Sequence, residues 1–174
     1  TISRYRIGEI CMFEIGDKIV YPLHGAGEIE KIEEKEILGE VKEYYILKMP
    51  FGDMKVMIPT SNSNEIGIRG IISKKQAYEV VDFFSPKKLD DNTNWNKRYR
   101  ENMDRLKTGD IEEVADVVNC LMMREKEKGL STGERKMLCS AKKILYSELI
   151  LAAGFDEDEL EDTIKHKLYD DVQS

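Results

Sequence analysis

NTNWNKRYRENMDRLK, Asn92–Lys107, contains the single tryptophan of the 174-residue chain and its densest basic cluster. At helical spacing Trp95, Tyr99, Met103 and Leu106 fall on one stripe, while Lys97, Arg98, Arg100 and Arg105 ring the rest of the cylinder. Thr93 or Asn94 supplies an N-cap, and Gly109 followed by Asp110 supplies a stop and a new start. Two placements of the indole fit this pattern. A lone tryptophan is commonly core. One at the first turn of a cationic helix is also the kit for entering a minor groove between base steps. The stretch divides the chain as well, because strand patterns precede it and helical patterns follow.

Working outward, the N-terminal side reads as short strands separated by turn residues: Phe13–Ile15, Lys18–Tyr21 ended by Pro22, Gly27–Glu33 with Ile37, and a turn at Gly39-Glu40. Glu43–Met49, a turn at Phe51-Gly52-Asp53 and Met54–Ile58 closed by Pro59 complete the set. Strands this short and close imply a small, strongly bent sheet or barrel of the SH3 or Tudor type. The polar-then-apolar run Ser61–Ile72 is expected to pack on it irregularly. Thr1–Cys11, ahead of Met12, lack the pattern and are set aside as an upstream extension.

Ser73 then caps a helix, KKQAYEVVDFF, with Ala77, Val80, Val81 and Phe84 facing a core. SPKKLDDNTN, rich in proline, asparagine and charge, is the best boundary. Beyond the tryptophan helix, Asp110-Ile-Glu-Glu113, Ser131-Thr-Gly-Glu134 and Asp156-Glu-Asp-Glu159 each read as a capping box that opens a further helix. Their stripes are Ile111, Val114, Ala115, Val118, Leu121 and Met122; then Met137, Leu138, Ala141, Ile144, Leu145 and Leu149; then Leu160, Ile164 and Leu168. The expected architecture is α+β: a small Tudor/SH3-like domain over 12–72, a helix and linker over 73–94, and an all-α domain over 95–170.

Composition bounds the function. The chain carries 27 cations against 34 anions, so it is no strongly basic DNA binder with many phosphate contacts. Positive charge is confined to 92–107, with five cations against two anions, and 131–154, with four against two; 155–174 has two against eight. If such a protein acts on DNA, something else must deliver it. No apolar run reaches membrane-spanning length, and TISRYRIGEICM has charges where a signal peptide needs an apolar core, so a cytoplasmic address and no membrane partner are expected. Cys11, Cys120 and Cys139 form no CxxC pair, which leaves no disulfide framework or zinc site, and Cys120 and Cys139 read as small core residues.

Catalytic patterns are missing. His24 and His166 lie in different halves, neither beside a nucleophile and an orienting acid. His24 in PLHGAG reads as a tight-turn residue, and GAG is too short and strand-bound for a phosphate loop. Pairs such as Glu33-Glu34 and Glu112-Glu113 read as solvated faces or helix starts. An enzyme is not expected, nor any cofactor or metal. The strand Met54–Pro59 offers binding surface instead. Met54, Val56 and Ile58 share one face, Lys55 and Met57 the other, and the closing proline suits an edge strand open to a partner's main chain. Spacing fits equally well a Met57 that fills a groove against the next helix.

Taken together, MFEIGDKIVYPLHGAG, LGEVKEYYILKMPFGDMKVMIP, NWNKRYRENMDRLKTGD and GLSTGERKMLCSAKKILYSEL resemble the CarD family of bacterial transcription regulators, from Met12 to about Leu151. The first half alone also resembles the RNA polymerase interaction module of the transcription-repair coupling factor; the tryptophan helix separates the two. The resemblance implies a Tudor-like domain gripping the polymerase β subunit and a helical domain touching promoter DNA at the upstream edge of the melted region. Trp95 matches a minor-groove wedge that holds the open complex open. Arg98 and Arg100, with Lys97 beside them, match backbone contacts, Met103 matches an apolar partner of the tryptophan, and Arg135 and Lys136 match a second DNA-facing pair. Lys35, Met57 and Pro59 match polymerase-contacting positions, and Lys55 is grouped with them on its strand. Some members carry arginine where this chain has Met57, so an apolar contact is implied there. The expected protein is a monomer that reads DNA shape and melting rather than sequence; the alternative is an adaptor docked on polymerase without touching DNA.

Overall fold

The computed structural model describes residues 13–90 and 93–170, with the backbone of two short paired strands, β1 (Arg6–Ile7) and β2 (Ile10–Cys11), ahead of them. The readings of the remaining N-terminal residues, of the Cys11 side chain and of Asn92 fall outside the described residues. Strands β3 (Lys18–Tyr21), β4 (Gly25–Ile37), β5 (Glu40–Lys48), β6 (Lys55–Pro59) and β7 (Arg69–Gly70) form one antiparallel sheet in the order β6-β5-β4-β3-β7. Five helices follow: α1 (Lys74–Phe83), α2 (Trp95–Lys107), α3 (Ile111–Glu127), α4 (Thr132–Ala153) and α5 (Glu157–Tyr169). The sheet encloses Ile19, Ile29, Tyr45, Leu47, Met49 and Ile58, and the stripes read for the helices meet in a second core. Ala77, Val80, Val81 and Phe84 of the α1 segment lie in that second core too, and Asn119 on α3 pins the chain after α1 by bonding both backbone groups of Ser85.

Several local expectations give way to side-chain chemistry. Phe13–Ile15 is not a strand: the Phe13 amide donates to the Tyr45 hydroxyl at 3.1 Å and the Glu14 amide to the Asp17 carboxylate at 2.9 Å, which replaces ladder bonds. β4 runs unbroken to Ile37 because Leu38 and Gly39 both take positive φ, 54° and 80°, and make the hairpin turn one residue earlier than read. Ser61–Ile72 includes the short β7, which extends the sheet. Asp110 and Asp156 cap α3 and α5 one way only, and on α3 Glu113 instead pairs with Arg105 at 2.5 Å; reciprocal boxes form at Ser73–Gln76 and Ser131–Glu134. Cys139 is exposed and Cys120 half-buried, so neither is the core residue expected; helical periodicity places Cys139 off the buried stripe.

The two halves are joined by a polar clasp. The guanidinium of Arg69, at the end of the sheet, donates to both carboxylate oxygens of Glu148 on α4 at 2.7 Å and to the Gly109 carbonyl at 2.7 and 3.0 Å. Glu148 is 3% exposed and also accepts the Ile72 amide. Nearby, the Ala26 amide donates to Ser147 at 2.8 Å, and a Cβ on Gly25 would stand 2.7 Å from the same hydroxyl. Only a glycine, here at φ 113°, lets β4 approach α4 this closely.

Candidate functional site

The sequence-predicted residues fall into two groups. In the first, α2 opens with Asn94 as N-cap, its side chain accepting the Lys97 amide, so Trp95 is the first helical residue. The indole is 43% exposed. It stacks on Tyr99 with ring centroids 5.6 Å apart, and its Nε1 donates to the Ser131 hydroxyl at 2.7 Å. The ring is therefore neither enclosed in the core nor free: its nitrogen edge rests on the start of α4, Tyr99 stacks against it, and the remainder faces solvent.

The cations around it differ in kind. Lys97 and Arg100 are exposed and line a shallow groove with Asn94, Asn96, Glu101 and Asp104; Lys97 lies 3.7 Å from Glu101 in a loose surface pair. Arg98 is turned inward. Its guanidinium donates to the Thr93 carbonyl at 2.6 Å and to Glu134 at 3.2 Å, so its side chain is mostly covered where that of Arg100 is exposed. The reason lies under the ring. Glu134 is 3% exposed and a carboxylate so buried requires a cation and donors. Burial alone would raise its pKa, but bonds from the Ser131 amide and hydroxyl and the Arg98 guanidinium outweigh that and hold it below the usual glutamate range. Arg105 is likewise committed, to Glu113 and Asp116. Met103 is half-buried against the helical core, while Arg135 and Lys136 are exposed in the first turns of α4. Sequence reading found Tyr99 on the tryptophan stripe but missed Ser131, Gly133 and Glu134 as its neighbours; the Ser131–Glu134 capping signature was visible and read only as a helix start.

In the second group, β6 is an edge of the sheet, as its proline suggests. Lys55 and Met57 are exposed on one face while Ile58 is fully buried and Val56 partly so; Met54, outside the strand, is exposed rather than core. The Lys35 ammonium approaches the Met57 sulfur at 3.6 Å, so these two expected residues share one patch. Lys55 pairs with Glu30 at 2.8 Å, and Pro59, half-buried, lies opposite Tyr44. His24 is an exposed turn residue stacked on Tyr21, with Nδ1 3.1 Å from the Pro22 carbonyl oxygen.

Comparison with known proteins gives two family matches: "CarD-like/TRCF RID domain" over residues 13–72 and "CarD, C-terminal domain" over residues 79–165. A protein of Bacillus subtilis (strain 168) named "Putative transcription factor YdeB" is 44% identical over 149 residues, which covers 86% of this chain and 97% of that protein.

Proposed function

This chain belongs to the CarD family of non-enzymatic transcription regulators, with an RNA polymerase-interacting domain as its first half, and on that premise we propose that it holds the polymerase β subunit through the Lys35–Met57 patch and edge strand β6 while Trp95 props open the melting promoter. One observation carries the reading: a half-exposed indole at the first turn of α2, with exposed Lys97 and Arg100 beside it to meet the DNA backbone. Arg135 and Lys136 extend the cationic surface on α4.

The energetics support it. Unstacking a base step costs a few kcal/mol, so a wedge that gains contact only once the step has opened binds the open state selectively. A differential of ~1.4 kcal/mol shifts a closed-to-open equilibrium tenfold. Tethering through polymerase raises the effective concentration of the wedge at its site, which reconciles DNA contact with a net charge of −7. A ring and backbone cations discriminate melted from closed DNA without reading bases.

The test is the lifetime of the open promoter complex. Trp95→Ala is expected to shorten it by roughly tenfold with polymerase affinity unchanged, and an unaltered lifetime would overturn the wedge. Crosslinking from position 95 within the promoter complex is expected to land on DNA; landing on protein alone would favour an adaptor that never touches the duplex.

A further inference from the structure

We propose that the Ser131–Glu134 segment opening α4 is the seat that fixes the orientation of the Trp95 ring, with Ser131 as a positioning residue and Gly133 as the clearance the ring requires. The inference deepens the wedge reading and rests on it for its functional consequence.

The Ser131 hydroxyl has one hydrogen to donate and two lone pairs. All are committed: it donates to Glu134 Oε2 at 3.1 Å, accepts the Glu134 amide at 3.2 Å and accepts Trp95 Nε1 at 2.7 Å. One oxygen thus caps α4 and holds the indole. A second bridge runs in the same register, since Arg98, three residues after Trp95, meets Glu134, three residues after Ser131. The two bridges fix the start of α2 against the start of α4, so the ring is anchored at its nitrogen and at its backbone together.

Gly133 supplies the third constraint. A Cβ built there would stand 3.5 Å from Trp95 Cζ2 and 3.6 Å from Tyr99 Cε2, ordinary van der Waals contact with both rings. The stacked pair Trp95–Tyr99 therefore rests against the first turn of α4 at residue 133. A wedge whose ring is held in advance does not lose rotamer freedom when it enters the duplex, which is how preorganisation raises affinity.

The chain has a single tryptophan, so indole fluorescence anisotropy of the free, full-length protein reports this ring alone. Ser131→Gly keeps a competent N-cap but removes the acceptor; it is expected to lower the anisotropy and shorten the open-complex lifetime by roughly 2- to 10-fold, the scale of one hydrogen bond. Ser131→Thr is expected to restore both, and Gly133→Leu to displace the ring and behave like Ser131→Gly. Unchanged anisotropy in both Ser131→Gly and Gly133→Leu would remove the seat. A mobile ring with an undiminished lifetime would remove its positioning role, provided Trp95→Ala does shorten the lifetime. If Trp95→Ala does not, the wedge reading falls, and the anisotropy alone still decides whether the seat exists.

Discussion

The corner that carries Trp95 and the sheet face that carries Met57 each present a half-exposed apolar side chain beside lysine or arginine, yet they are held in opposite ways. Met57 stands where strand alternation puts it, with Ile58 buried on the reverse face, and its sulfur meets a lysine already in solvent. Trp95 stands where a polar network built on buried Glu134 puts it: Ser131, Glu134 and Arg98 are each engaged with more than one partner. A surface placed by backbone period tolerates side-chain change. A surface placed by a buried network does not, because removing one member leaves others desolvated and unpaired.

The largest effect that follows is from Glu134→Ala. It strands the inward guanidinium of Arg98, removes the reciprocal half of the α4 cap, and is expected to destabilise the protein by about 3 kcal/mol, measured as a fall in the urea midpoint with the slope unchanged. A loss near zero would mean the network is ornamental and the contrast false. Arg69→Ala comes next. It deprives buried Glu148 of its cation and opens the Gly109 contact, at an expected cost of about 2 kcal/mol. Because that clasp joins the halves, separate probes for sheet and helices should then report separate transitions, where the parent shows one.

Acid sharpens the comparison with a smaller effect. Burial opposes ionisation of Glu134, Asp116 and Glu161, but their cationic and hydrogen-bond partners prevail and hold all three below the ordinary carboxylate range. A carboxyl depressed in the folded state contributes stability above its unfolded pKa and loses it as pH falls through the folded value. All three lie in the helical half. On the sheet, Glu30 and Glu33 are lowered chiefly by bonds to Lys55 and Lys31, but both are solvent-exposed pairs and worth little. Titration downward from about pH 4.5 should therefore loosen the helical half before the sheet, with Trp95 fluorescence changing before the far-UV signal of the strands.

What was legible in the sequence divides along the same line. Period and caps are local, so the helical stripes, the Ser131 start and the edge position of β6 could be read directly, whereas spacing left Met57 open between an exposed side chain and one filling a groove. Trp95 could not be settled, since the same spacing suits a core ring and a wedge; the ring's neighbours Gly133 and Ser131 lie 38 and 36 residues away. Arg98 was read as one cation among several because nothing local distinguishes it from Arg100. The difference is made by a carboxylate on another helix. Phe13–Ile15 failed as a strand for a similar reason, its amide being taken by Tyr45, 32 residues on.

The smallest effect on the fold is expected at Met57. Its side chain is 38% exposed on an edge strand, and Met57→Ser leaves the buried face of β6, Ile58 and Val56, untouched. The unfolding midpoint should move by less than the equivalent of about 0.5 kcal/mol. If the proposed docking face holds, polymerase affinity should nevertheless fall, because an apolar group lost from a desolvated interface costs more than one lost from a free surface. Binding to the isolated β-subunit region and urea denaturation, run on the same variant, separate the two quantities. A Met57→Ser protein as destabilised as Glu134→Ala would show that β6 depends on this side chain for its own packing, and the sheet face would then belong with the tryptophan corner rather than opposite it.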